Sequence, residues 1–262
     1  MNTKPTALIT GASNGIGYEF AHIFAKNGYD VVLVARSEHQ LHQLAHDLEK
    51  EYQTKTKVFS LDLSQSGSVE KIYNELHQEK IIIDCLVNNA GFGAFGFFIE
   101  NDWEKENQMI QLNILALTHL TKLFVKDMVI RKKGKILNVA STAAFQPGPL
   151  MAVYYATKAF VLFLSEAIAN ELKGSGVTIT ALCPGPTESG FQSAASMEES
   201  KLVKNKKLPT SKQVAEYGYK AMMKGKRVAI HGLINKIMTF SLRLTPRKIV
   251  TSVVRKLSEK KR

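Results

Sequence analysis

The sequence predicts a three-layer doubly wound α/β fold around a seven-stranded parallel sheet, followed by a helical C-terminal extension. Two observations carry this. Short apolar, β-branched runs alternate with stretches of helical period, as a sheet buried on both faces requires. A glycine-rich turn also sits between the first such run and the first helical stretch. Right-handed crossovers then make the doubly wound arrangement the expected solution.

The strand candidates are 6–10, 30–35, 57–61, 82–87, 134–140, 177–183 and 227–231, and the helical stretches are 15–27, 38–52, 66–79, 102–131, 152–173 and 211–224. In the first helix Ile16, Phe20, Ile23 and Phe24 keep the helical period, and Asn27-Gly28 is a stop signal. With no low-complexity linker or internal repeat, residues 1–231 read as one domain. Residues 232–262 read as a basic extension of two short amphipathic helices. Leu233, Ile234, Ile237 and Met238 form the first stripe. Thr245-Pro246 separates it from a second: Ile249, Val250, Val253, Val254 and Leu257. Such helices pack on the parent domain or a partner subunit, or lie on a membrane surface.

The chain has 262 residues and a formal net charge of +12. Residues 201–262 hold 18 Lys+Arg and 2 Asp+Glu, and the first 200 hold 17 and 21, so +16 and −4 make up the total. The basic quarter suits an anionic partner or a solvated face. No interleaving of aromatic and basic residues points to nucleic acid. The start of the chain lacks a signal-peptide pattern, and no charge-free apolar run is long enough to span a bilayer. Cys85 and Cys183 read as buried free thiols, and together these features suggest a cytoplasmic location. His39, His42 and His46 share a helix face, but lack the further ligands and carboxylates of a metal centre, so exposed polar positions are expected and no metal site.

In "LITGASNGIG" the glycines are spaced G-x-x-x-G-x-G at Gly11, Gly15 and Gly17. Glycines permit a tight turn and close approach of a ligand, and the helix that follows offers free N–H groups to a pyrophosphate. A Walker loop is excluded because Gly-Lys-Ser/Thr is absent. The second strand ends at Ala35-Arg36 where NAD-preferring folds usually carry an acidic residue. A guanidinium there suits a 2′-phosphate, so NADP(H) is the expected cofactor. In "VYYATKAF", Tyr154 lies four residues before Lys158 and Tyr155 three. Helical spacing admits either as its partner.

Taken together, residues 4–231 resemble the short-chain dehydrogenase/reductase family, of NADP(H)-preferring type, with its Rossmann fold. The matching pieces are Thr10-Gly11-Ala12-Ser13-Asn14-Gly15-Ile16-Gly17, Asp62-Leu63, Asn88-Asn89-Ala90-Gly91, Asn113, Ser141, Tyr154 with Lys158, and Pro184-Gly185. The resemblance implies that Gly11, Ser13, Asn14, Gly15, Ile16, Gly17 and Arg36 bind the cofactor phosphates. Asp62 and Leu63 would hold the adenine. Asn89, Ala90 and Gly91 would border the cofactor, with Asn89 beside the adenosine ribose and Asn88 bracing the turn. Pro184, Gly185 and Thr187 would face the nicotinamide. Ser189 stands where the family commonly has threonine and keeps the hydroxyl.

The resemblance also assigns Tyr154, because the Tyr-x-x-x-Lys spacing and the 13 residues separating it from Ser141 match the family pattern and those of Tyr155 do not. It implies a carbonyl/alcohol oxidoreductase. Tyr154 would exchange a proton, and Lys158 would lower its pKa and bind the nicotinamide ribose. Ser141 would hold the substrate oxygen, and Asn113 a relay water. A homodimer or homotetramer, joined through the helices at 102–131 and 152–173, is a family expectation.

The run "GFGAFGFF" at 91–98, with Phe145, Met151 and Phe191, is expected to wall an apolar pocket for a small-molecule ketone or aldehyde, and residues 190–210 to form a lid. Two rivals share the fold. One is a membrane-peripheral reductase of lipid-like ketones held by the basic tail. The other is a non-catalytic dinucleotide sensor, which the retained Ser141, Tyr154 and Lys158 disfavour.

Overall fold

The structure is a computed structural model that describes residues 4–191, 195 and 207–259. Most of the expected lid at 190–210 lies outside the described residues. The elements run β1 (Thr6–Thr10), α1 (Gly15–Lys26), β2 (Asp30–Ala35), α2 (Glu38–Tyr52), β3 (Thr56–Ser60), α3 (Ser68–Gln78), β4 (Cys85–Asn88), α4 (Trp103–Ile110), a π-helical segment (Gln111–Ala116) and α5 (Leu117–Ile130). Then come β5 (Gly134–Val139), a 3₁₀ turn (Thr142–Phe145), α6 (Ala152–Glu171), β6 (Val177–Cys183), α7 (Ser211–Met223), β7 (Val228–Ile230), α8 (Leu233–Ser241) and α9 (Arg247–Ser258).

The seven strands form one parallel sheet in the order β3-β2-β1-β4-β5-β6-β7. Strand order reverses between β1 and β4, and a crevice opens beyond the carboxyl ends of those strands. One apolar layer includes Phe20, Phe24, Leu41 and Leu48 against one face of the sheet. The opposite layer includes Ile72, Leu120, Phe124 and Ile136. Leu8, Ile9, Leu33 and Leu86 are fully buried, as near-continuous apolar strands between helix layers must be.

Several boundaries differ from the sequence reading. β4 starts at Cys85 rather than 82, because Asp84 turns its carboxylate to the Thr6 amide and pairing with β1 begins at Ala7–Cys85. The stretch 102–131 is one helical run broken in winding by the π segment. α6 is long and apolar enough by length and composition to cross a membrane. Here it is a helix of the domain, burying Tyr154, Val161, Leu162 and Ser165. Cys85 and Cys183 are buried free thiols, with burial the main influence pushing both up to about 12. His39, His42 and His46 are exposed on α2.

The tail helices do not follow the expected stripes. α9 buries Val250, Val254 and Ser258 and leaves Ile249, Val253 and Leu257 largely exposed. In α8 only Thr239 is buried, and the stripe Leu233, Ile234, Ile237 and Met238 is exposed. Periodicity identifies a helix face but not which part of it meets the protein.

Candidate active site

The crevice at the strand switch is a cavity of about 630 Å³. Its phosphate end is built by the turn after β1. Gly11 and Gly15 have φ of +65° and +57°, a region that favours glycine. A Cβ on Gly17 would lie 2.1 Å from the Gly11 carbonyl oxygen, so only glycine fits there. The first turn of α1 carries no acidic residue and its N-cap, Asn14, makes no side-chain capping bond. Free N–H groups and the positive end of the helix dipole are thereby left for an anion.

Thr10 pins this turn to the next. Its hydroxyl accepts bonds from the Asn89 and Ala90 amides, both 3.0 Å. Asn89 Nδ2 donates to the carbonyls of Thr10 (3.0 Å) and Gly11 (3.2 Å). The brace of the turn is therefore Asn89, not Asn88. Asn88 reaches into the buried layer, donating to Thr121 Oγ1 (3.0 Å) and Asn138 Oδ1 (2.9 Å). Gly11, Ser13, Asn14, Gly15, Ile16, Asp62, Leu63, Asn89, Ala90 and Gly91 all border the cavity. Gly17 is buried behind them.

At the end of β2, Arg36 is an exposed side chain on the cavity edge, 3.9 Å from Asp62. That separation across solvent is a weak ion pair, so the guanidinium is available to a ligand. Ser37 and Gln40 stand beside it on the cavity wall, and the sequence reading missed both. Asp62 is itself held in a local turn, accepting bonds from the Ser64 amide and hydroxyl.

The other end holds the polar centre. Ser141 follows β5; its hydroxyl accepts from the Ala143 amide (3.1 Å) and donates to the Pro184 carbonyl (3.4 Å), and it lies near enough to the Tyr154 phenol to favour its charged form. Tyr154 and Lys158, one turn apart on α6, are both buried. Lys158 Nζ donates to the Val139 carbonyl (2.8 Å) and sits 5.9 Å from the Tyr154 ring centre. Burial lowers the Lys158 ammonium to about 8.

The sequence expectation that Lys158 lowers the Tyr154 phenol is not met in this structure. Burial drives that phenol well above its ordinary value, and the nearby Ser141 hydroxyl opposes it only in part. The reason is geometric: the ammonium is turned to a β5 carbonyl rather than to the phenol.

Asn113 lies in the π segment and is buried. Its amide donates to the Phe92 carbonyl (3.0 Å) and Thr157 Oγ1 (3.1 Å), and its oxygen accepts from the Phe92 amide (3.2 Å). A Cβ on Gly91 would lie 2.9 Å from Asn113 Oδ1 and 3.4 Å from Lys158 Nζ, so the two side chains converge over that glycine. A π turn inside a long helix commonly marks such a site. Asn113 itself is not on the cavity wall.

Pro184, Gly185, Thr187 and Ser189 line the cavity on the β6 side, with Thr187 donating to the Gly185 carbonyl (2.9 Å). Phe92, Met151 and Phe191 line its apolar part. Phe145 does not; it packs beside Leu117 and Val161 instead. Phe97 and Phe98 point to the surface, because the glycine loop turns them outward. Met238, Val254 and Leu257 of the tail complete the wall. Tyr155, buried next to Tyr154, also borders the cavity, and the nearby Ser258 of α9 partly offsets the rise that burial causes in its phenol. Its ring fills the space over Gly148, where a Cβ would lie 2.1 Å away.

Comparison with known proteins agrees with this geometry. A family model described as short chain dehydrogenase matches residues 5–200. The chain is 36% identical over 182 residues to a very-long-chain 3-oxoacyl-CoA reductase-B of Danio rerio, covering 68% of this chain and 58% of that protein. It thus spans less than two thirds of that relative's length. Among solved structures, a short-chain dehydrogenase from Sphingobium yanoikuyae in complex with NADPH superposes with a TM-score of 0.81 at 31% identity, covering 92% of this chain and 94% of the other. A bulky-bulky ketone specific alcohol dehydrogenase from Comamonas testosteroni gives 0.79 at 29% identity, with 93% of each chain covered. With the family model spanning most of the chain and the glycine turn, Ser141, Tyr154 and Lys158 gathered at one crevice, the protein belongs to the short-chain dehydrogenase family.

Proposed function

We propose that this oxidoreductase uses NADP(H) to interconvert a bulky or long-chain apolar ketone or aldehyde with its alcohol. The observation that carries the reading is the junction in one cavity of a phosphate-accepting glycine turn and the Ser141–Tyr154–Lys158 group. The site fits the cofactor on its own chemistry. Gly11 and Gly15 take the positive φ that opens the turn to a pyrophosphate, Gly17 lets α1 pack closely on the Gly11 carbonyl, the first turn of α1 has no competing carboxylate, and Arg36 stands on the cavity edge, placed to meet a 2′-phosphate. The NADPH complex of the Sphingobium relative supports the same choice.

When bound, the reduced nicotinamide supplies hydride to the carbonyl carbon. The chain's own residues manage the oxygen and one proton. Ser141 donates a hydrogen bond to the substrate oxygen, and the Tyr154 phenol donates the proton. Burial keeps that phenol protonated at neutral pH, the state a proton donor needs. The Lys158 ammonium returns a proton to the phenolate so formed and is itself reprotonated from solvent, and Asn113, converging with Lys158 over Gly91, orients that path. Phe92, Met151, Phe191, Met238, Val254 and Leu257 exclude water and select apolar substrates. The Danio and Comamonas proteins are named for a ketone on a very long acyl chain of a CoA thioester and for bulky ketones, each with a large group beside the carbonyl.

Association into a homo-oligomer fits the apolar side chains left exposed on α5 and α6, Ile130 and Phe163. A panel of apolar ketones and aldehydes, followed by loss of NADPH absorbance, tests the function. Turnover of bulky ketones above small polar ones is expected. Binding of NADPH with no turnover of any carbonyl would instead favour a dinucleotide sensor.

A further inference from the structure

We propose that the C-terminal helices dock this protein on an anionic lipid surface, with the mouth of the substrate cavity facing the bilayer. That the cavity receives substrate from the lipid rests on the carbonyl-reductase reading; the docking itself does not.

The surface is unusual for an exposed helix. Leu233, Ile237 and Phe240 of α8 are spaced i, i+4 and i+7 and are 62–72% exposed, with Ile234 beside them at 81% and Leu244, in the turn after the helix, at 78%. A single exposed leucine is ordinary, but a contiguous apolar stripe marks an interaction site. This stripe adjoins the cavity. Met238 of α8 lines the cavity together with Val254 and Leu257 of α9, so the helix that carries the stripe also borders the cavity. The loop after Gly93 adds to the rim: Arg255 stacks on Phe97, 4.8 Å from the ring centre, and Phe98 and Ile99 beyond it are exposed.

Charge selects the occupant. Residues 232–262 carry nine Lys+Arg and one acidic residue. Arg243, Arg247, Lys248 and Lys256 are exposed around the apolar stripe. A second copy of the chain would bring the same positive charge against it in a two-fold contact, which repels. An anionic bilayer offers both complements, phospholipid head groups for the cations and an acyl boundary for the aliphatic side chains.

The test is flotation of the full-length protein with vesicles of phosphatidylcholine alone or with phosphatidylglycerol. Binding to the anionic vesicles at least tenfold tighter than to the zwitterionic ones is expected, and it should weaken at high salt. Ile237→Glu/Phe240→Glu and Arg243→Glu/Lys248→Glu should each weaken binding at least tenfold. All four positions are exposed and outside the cavity wall, so melting temperature and turnover of a water-soluble ketone should not change. Absence of vesicle binding, or variants that bind like the parent, overturns the proposal. So does a dimer in sedimentation velocity that Ile237→Glu/Phe240→Glu dissociates without any vesicle binding, which would give the face to a second copy. Loss of turnover in the parent with vesicle binding intact would count against the reductase reading alone.

Discussion

Replacing Lys158 by methionine should make the ligand-free protein more stable while ending its activity. Lys158 is an ammonium buried to 5% exposure, and desolvation brings it from the usual 10.5 to about 8. At about 1.4 kcal/mol per pH unit, the charged form is disfavoured by about 3 kcal/mol in the folded state. Methionine keeps the unbranched shape and removes the charge. It also strips the Val139 carbonyl of its 2.8 Å donor, which costs about 1–2 kcal/mol. The net gain at neutral pH is about 1–2 kcal/mol, or roughly 2–6 °C in melting temperature for a chain of this size.

The pH dependence distinguishes this from a packing effect. Between about 8 and 10.5 the unfolded chain holds a proton on Lys158 that the folded chain has released. Stability of the parent therefore rises with pH across that window, and the advantage of the variant shrinks. Tyr154 acts with the opposite sign, but only above its ordinary value of 10, and equally in both proteins. Urea unfolding at pH 6.5, 8 and 9.5 reads the difference. A variant less stable than the parent at pH 6.5, or a gap that stays constant to pH 9.5, would refute the desolvation reasoning.

Other outcomes follow from the same geometry. Arg36→Ala should weaken NADPH binding about tenfold and leave NADH binding unchanged, by fluorescence titration of the reduced nicotinamide; equal loss for both would mean that Arg36 does not meet the 2′-phosphate. Gly17→Ala should abolish binding of either nucleotide, because its Cβ would meet the Gly11 carbonyl at 2.1 Å; calorimetric titration that finds normal affinity would disprove the close packing of this turn. Ser258→Ala removes a buried hydroxyl near Tyr155 and should change stability by no more than about 1 kcal/mol, with kcat nearly unchanged for a small ketone; a large drop in kcat would mean that the tail positions the reacting groups.

Local pattern revealed much of this molecule and topology decided the rest. The strands were legible because a doubly covered parallel sheet demands uninterrupted runs such as Ala7-Leu8-Ile9 and Val31-Val32-Leu33-Val34. The glycine turn was legible because its backbone demands are local. The brace of the turn was assigned to Asn88 rather than Asn89, since which of two adjacent amides faces the Gly11 carbonyl depends on the register of β1 with β4. Thr10, Ser37 and Gln40 carried no distinctive signal of their own; the hydroxyl of Thr10 gains its meaning only when β4 places Asn89 and Ala90 beside it. The π turn at Asn113 and the orientation of Lys158 toward Val139 are likewise contacts between distant segments. The tail stripe was visible, but nothing within residues 232–262 says that Val250 and Val254 turn toward Met151 and Tyr154.

The two tyrosines of "VYYATKAF" give the sharpest test. The Tyr154 phenol is influenced by the nearby Ser141 hydroxyl, whereas that of Tyr155 is influenced by Ser258 of the tail. With NADPH deuterated at the transferring position and an apolar ketone, mass spectrometry of the alcohol reports hydride transfer directly. The parent and Tyr155→Phe should both place deuterium on the carbinol carbon. Tyr154→Phe should bind the cofactor and transfer at least a thousandfold less. Undiminished transfer by Tyr154→Phe, or its loss in Tyr155→Phe alone, would contradict the assignment of Tyr154 as proton donor.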